Sequence, residues 1–210
     1  TSRATRLNVS MIKQQSRKLV FRHVFRHGPA MRGDIAAQTG LSVGTVKTVC
    51  EEFLEAGVFS EEKDKRTAVG RKPRTVAVKP HARRFGVVCV QPGAFEYYSV
   101  DLTLTPIGTP MRGVPARGSG YLDSLIRFLR SLEEPRRLSP PMSAALIAVP
   151  GPYTPETDRV SCNIVPELND ISIRSVAEEA LGTPVQVAED VHLAALAEVE
   201  YPFHVPQPLF

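Results

Sequence analysis

Two groups of residues have the right types and spacing for chemistry, and in both the chemistry is recognition of a polyanion. Lys65, Arg66, Arg71, Lys72 and Arg74 fall within ten residues, and Gly70 and Pro73 keep the Arg71 segment extended and slim. Arginine on such a segment suits the negative potential of a narrow, A·T-rich minor groove. Ser42-Val43-Gly44-Thr45, followed by Lys47 and Thr48, combines small side chains with hydroxyls and one ammonium. At the start of a helix these let the backbone approach a major groove and let Thr45, Lys47 and Thr48 reach bases or phosphates. Arg32 and Lys65 are expected on phosphate. The plainer alternatives, a solvated basic loop and tolerated surface threonines, stay open until a fold places these residues.

Metal and thiol chemistry find less support. Cys50, Cys89 and Cys162 are widely spaced and odd in number, which suits reduced thiols rather than a disulfide framework. His23, His27, His81, His192 and His204 form no metal-ligand spacing with them, so neither a metal site nor a cofactor is expected.

The elements that must position the basic residues lie in a first unit, expected over 1–82. Up to Arg84 the chain holds 18 Lys/Arg against 7 Asp/Glu, a formal +11, whereas the remainder holds 8 against 15, a formal −7. Only the first part is built to meet a polyanion. A helix is expected from Ser10, as N-cap, to His27, with Leu19, Val20, Phe21, Val24 and Phe25 at helical spacing and Gly28-Pro29 stopping it. A second helix from Met31 to Gln38 offers Ile35 and Ala36 to a core. Gly40 then allows a tight turn of the helix-turn-helix kind, and Ser42 caps a third helix that buries Val46, Val49 or Cys50, and Phe53 until Gly57 ends it. Val58–Ser60 and Thr75–Val78 read as a hairpin whose polar tip, Glu61 to Arg74, is a wing. No uninterrupted apolar run reaches the roughly 18 residues of a membrane span, and no secretory signal is evident, so a soluble protein is expected.

Gly28-Pro29, the run Ile35 to Val46, Leu54 to Val58 and Gly70 to Pro73 together resemble the N-terminal domain of transcriptional regulators of the ROK family (repressors, open reading frames and kinases). Met31 departs from the family's usual Ser or Thr cap. The resemblance continues in Val149-Pro150-Gly151-Pro152, in Val187 to Asp190 and in Leu193 to Glu198. Strands are expected over 85–91, 95–104, 107–115, 143–149 and 184–187, with helices over 119–133, 173–181 and 191–200. The resemblance therefore implies an α+β winged helix-turn-helix over 1–82, followed over 83–210 by the first lobe of an α/β actin-like, ribonuclease-H-like domain. The second lobe and the family's zinc motif are absent from this chain.

Family kinases hold ATP phosphates on an Asp-x-Gly-x-Thr turn, but here Val88 stands where the Asp would be. Asp190 matches the family's catalytic base, while Glu189 replaces the preceding Asn, and Asn163 aligns with a sugar-contacting Asn. Asp190 is equally suited to cap a helix. The resemblance thus implies a sequence-specific regulator rather than an enzyme: a repressor of sugar-metabolism genes that binds double-stranded DNA as a homodimer or higher homo-oligomer, in the cytoplasm at the bacterial nucleoid. Its effector is a sugar or sugar phosphate met by Asn163, Glu189 and Asp190. A sugar kinase and a non-enzymatic sugar-binding module are the alternatives.

Overall fold

The computed structural model describes residues 2–63, 74–116, 120–132, 140–169 and 171–200. It divides into two units, Thr1–Ala82 and Arg83–Phe210. No described helix is long and apolar enough to cross a membrane.

The first unit contains three helices and a small antiparallel sheet. Helix α1 runs Ser2–His27. It begins eight residues before the expected cap at Ser10, because nothing between Ser2 and Ser10 is a Gly or Pro that would break it. It ends where Gly28 turns to φ +76° and its N–H reaches the Val24 carbonyl at 3.0 Å. Strand β1, Ala30–Met31, was not expected, since two residues are too few to carry a periodic signal. Helix α2, Arg32–Thr39, starts after Met31, whose side chain supplies no cap. Gly40 closes it at φ +71°, with its N–H on the Ala36 carbonyl at 3.0 Å. A β-carbon there would strain the left-handed backbone, which is why the tight turn needs glycine.

Helix α3 spans Val43–Glu55, and Ser42 caps it by accepting a 3.1 Å hydrogen bond from the Thr45 N–H. Strands β2, Phe59–Lys63, and β3, Arg74–Val78, form the hairpin, and β3 lies between β1 and β2. Glu61 to Lys63 therefore belong to a strand rather than to the polar tip, paired with Val76, Thr75 and Arg74. The core joins Val20 and Val24 of α1, Ile35 and Ala36 of α2, Val46, Val49 and Cys50 of α3, and Phe59 and Val76 of the sheet. Both Val49 and Cys50 are buried. At roughly 1.5–3 kcal/mol for each large side chain removed from water, this cluster outweighs the uneven helix propensities of its β-branched members.

The second unit is built on a five-stranded mixed sheet. Strands β4 (Arg84–Gln91) and β6 (Met111–Gly113) each run antiparallel to β5 (Ala94–Asp101), which lies between them, while β7 (Met142–Val149) and β10 (Val185–Glu189) run parallel to β4, in the order β10-β7-β4-β5-β6. Helix α4, Tyr121–Ser131, and helix α5, Ile173–Leu181, lie in the connections between parallel strands. Val88, Val90, Phe95, Tyr97 and Ile147 of the sheet pack with Leu125, Phe128, Leu129, Ile173 and Leu181 of the helices.

The third strand is much shorter than the expected 107–115, and the second stops at Asp101 rather than residue 104. A turn intervenes. One carboxylate oxygen of Asp101 accepts the Thr103 and Thr105 N–H groups at 2.8 and 3.1 Å, and Leu104 takes φ +62°. A small hairpin, β8 (Tyr153–Thr154) with β9 (Arg159–Val160), follows β7 and was not expected. Helix α6, Asp190–Glu200, follows β10 directly.

Candidate nucleic-acid interface

The capped end of α3 presents what its sequence promises. Val46, Val49 and Cys50 face the core, while Ser42, Val43, Gly44, Lys47 and Thr48 are exposed and Thr45 is half-buried. Every side chain from position 42 to 45 is small, so a docked surface can come close to the helix backbone. The hydroxyls are held in place: Ser42 and Thr45 share a 2.9 Å hydrogen bond, and Thr48 donates to the Gly44 carbonyl at 3.1 Å. Each retains acceptor capacity toward a ligand. Lys47 lies 3.8 Å from Glu51, an open pairing that leaves its ammonium free to exchange partners.

Two carboxylates fix the scaffold. Glu52 of α3 receives Lys13 and Arg17 of α1, each at 2.7 Å, which locks the two helices in register. Hydrogen bonds from Lys13 and then Arg17 hold the Glu52 carboxyl below the usual carboxylate range. Glu61 of β2 receives Arg32 at the start of α2 on one oxygen and Arg74 of β3 on the other, both at 2.7 Å. The Arg32 hydrogen bond is foremost in holding Glu61 charged, ahead of the opposing effect of burial and the further help of Arg74.

Of the expected DNA-facing residues, Arg32 and Arg74 thus meet at one carboxylate, while Ser42 to Thr48 lie together on α3. Lys65, Arg66, Gly70, Arg71 and Lys72 lie outside the described residues. Glu61 was not singled out in the sequence. Its alternation with Phe59 on a strand was the available signal, masked by the run of charges that follows.

In the second unit, β4, β7 and β10 end side by side at Gln91, Val149 and Glu189. Glu189 closes β10, and Asp190 opens α6, where its carboxylate accepts the Val191 N–H at 2.7 Å. This contact is with its own chain neighbour. Asn163 is exposed on the loop after β9, and among the described residues no hydrogen bond joins it to Glu189 or Asp190. Val88 is fully buried in the core. Among the described residues no group of three or more His, Cys, Asp or Glu is placed to hold a metal ion.

Comparison with known proteins places this geometry in context. No family model matches the chain. It is 23% identical over 198 residues to the DNA-binding transcriptional dual regulator NagC of Escherichia coli K12, and equally to the N-acetylglucosamine repressor of Shigella flexneri, covering 91% of this chain and 48% of each relative. The chain therefore spans about half the length of the curated relatives it matches. Among solved structures, a ROK family transcriptional regulator described as a homologue of the E. coli MLC protein superposes with a TM-score of 0.72 at 19% identity, over 90% of this chain and 49% of that one. A polyphosphate/ATP-glucomannokinase from Arthrobacter aligns over 60% of this chain with a TM-score of 0.49.

Proposed function

We propose that this chain, which is homologous to the ROK-family transcriptional regulators, is the DNA-binding part of a sequence-specific repressor of sugar-metabolism genes. The observation that carries the reading is the capped, small-residue face of α3, exposed in a unit that holds 16 Lys/Arg against 7 Asp/Glu, a formal +9. In this reading residues 1–82 are a winged helix-turn-helix. Its recognition helix, Val43 to Thr48, enters the major groove, and Arg71, Lys72 and Arg74 on the wing enter the minor groove. Residues 83–210 correspond to the first lobe of an actin-like domain, which senses a sugar or sugar phosphate through Asn163, Glu189 and Asp190. A homodimer at the nucleoid, reading two half-sites, completes the proposal.

Selection from random-sequence DNA tests it, followed by titration of the enriched duplex at several salt concentrations. An enriched motif is expected. The Arg71→Ala/Arg74→Ala variant should bind it at least tenfold more weakly at physiological salt, with a salt slope reduced by about 0.9 for each phosphate that is no longer neutralised. No enrichment overturns the sequence-specific reading, whereas equal affinity and an equal salt slope in the variant remove only the wing from it.

The chain is also proposed to be no kinase. Burial of Val88 leaves no carboxylate at the position where the family resemblance requires one for magnesium and phosphate. A coupled ADP-release assay across hexoses and amino sugars should show no turnover. Sugar-dependent turnover abolished by Asp190→Asn would overturn this.

A further inference from the structure

Glu61 of β2 joins β3, through Arg74, to the start of α2, through Arg32, at the end of the hairpin that precedes residues 64–73. It sits on β2, opposite Val76. Arg74, two residues before Val76 on the central strand, is its diagonal neighbour on the same face. Arg32 comes from the far side of the sheet, immediately after Met31, which pairs with Thr75. The side chains of Glu61 and Arg32 are 22% and 23% exposed, so this pair is shielded enough to hold a fixed geometry, while Arg74 at 61% opens outward. Arg32 also stands at the first position of α2, where a lone cation opposes the helix dipole. The Glu61 carboxylate offsets that cost.

Each guanidinium has five N–H donors in a rigid plane, and Arg32 and Arg74 each spend one Nη1 on Glu61. Their remaining donors are left in fixed directions. Two guanidinium groups gripping opposite oxygens of one carboxylate lie close enough for a single phosphodiester to meet both.

We propose that Arg32, Glu61 and Arg74 form a preorganised clamp for one DNA backbone phosphate at the root of the wing, with Glu61 as the positioning residue. The clamp rests on the DNA-binding reading above. It reassigns Arg74 from the minor groove to the backbone and leaves base-edge work on the wing to the residues beyond it.

The clamp makes a prediction opposite in sign to simple charge counting. Glu61→Gln removes a negative charge beside DNA, so a merely electrostatic surface would bind more tightly. A clamp binds more weakly, because the Gln amide accepts from one guanidinium but presents its own N–H groups to the other. Fluorescence anisotropy with the full chain and a mixed-sequence duplex several turns long should show Glu61→Gln binding about fivefold more weakly, the scale of one lost positioned hydrogen bond. Arg32→Lys, which keeps the charge and loses the fork, should weaken binding similarly and tests the clamp independently of whether Glu61→Gln folds. Arg32→Ala and Arg74→Ala should each reduce the salt slope by about 0.9, and the double variant by the same amount, because one phosphate is shared. Binding by Glu61→Gln that is as tight as or tighter than wild type overturns the clamp, as does a double variant whose slope falls by about twice the single value. Both results leave the DNA-binding reading standing. Wild-type protein without salt-dependent affinity for the duplex overturns both.

Discussion

Gly151→Ala is expected to destabilise the second unit by about 3 kcal/mol, at the upper end of what overpacking costs, because the obstruction is backbone rather than a side chain that can rotate away. A β-carbon at position 151 would lie 2.5 Å from the Ser161 carbonyl oxygen and 3.2 Å from the Cys162 β-carbon. The chain doubles back there: Ser161 donates its N–H to the Pro152 carbonyl at 2.9 Å, and the Cys162 thiol lies 2.9 Å from the Pro150 carbonyl. The whole β8–β9 hairpin would have to move. Chemical denaturation of the variant should show an earlier transition, and hydrogen exchange should assign it to amides of the second unit. The first unit's amides should keep wild-type protection. A midpoint within error of wild type would mean that the hairpin has room the structure does not show.

Asp158→Asn should cost a similar amount, about 3 kcal/mol on the scale of hydrogen bonds to a charged group, and should also change how stability responds to acid. Asp158 is buried at the tip of the β8–β9 hairpin, with φ +53°. Its carboxylate accepts the Arg174 and Ser175 N–H groups at 2.9 and 3.1 Å, the Ser175 hydroxyl at 3.0 Å and the Tyr153 hydroxyl at 3.0 Å. A residue distant in sequence thus satisfies the first turn of α5, whose own N-cap, Ser172, makes no side-chain bond. Asparagine tolerates the same left-handed backbone, so the substitution isolates the carboxylate.

Burial alone would raise the Asp158 carboxyl, but the four donors outweigh it and hold the folded group below the ordinary value of 3.8. The unfolded state therefore binds the proton more readily. The stabilisation is fully present above the unfolded value, declines as pH falls below it, and is lost once pH passes the folded value. Wild type should lose stability steeply below about pH 4, and the Asn variant should have a flatter profile there. Parallel profiles would show that the carboxylate's charge contributes nothing.

The helices of the first unit are legible in the sequence because their signals are local. Gly28, Gly40 and Gly57 all take positive φ, and Ser42 caps α3, so each boundary is set by one residue's backbone or side-chain chemistry. The core faces follow from spacing alone, since Ile35, Ala36, Val46, Val49 and Cys50 recur at helical intervals and are all buried. The start of α1 departs from expectation because Ser10 is a good cap only where a helix has reason to begin, and nothing before it stops one.

Sequence by itself thus determined the character of this protein: a basic first unit with a capped, small-faced helix, and an acidic second unit of strands and helices. Its periodicity, turn residues and charge are properties of neighbours along the chain. Only the tertiary structure decided which charges meet. Glu61 shares Arg32 and Arg74 across 29 and 13 residues, Glu52 takes Lys13 and Arg17 from another helix, and Asp158 caps a helix that begins well after it. Such partners are chosen by sheet register and helix packing. A carboxylate at 22% exposure between two guanidinium groups is, in the sequence, one acidic residue in a run of charges.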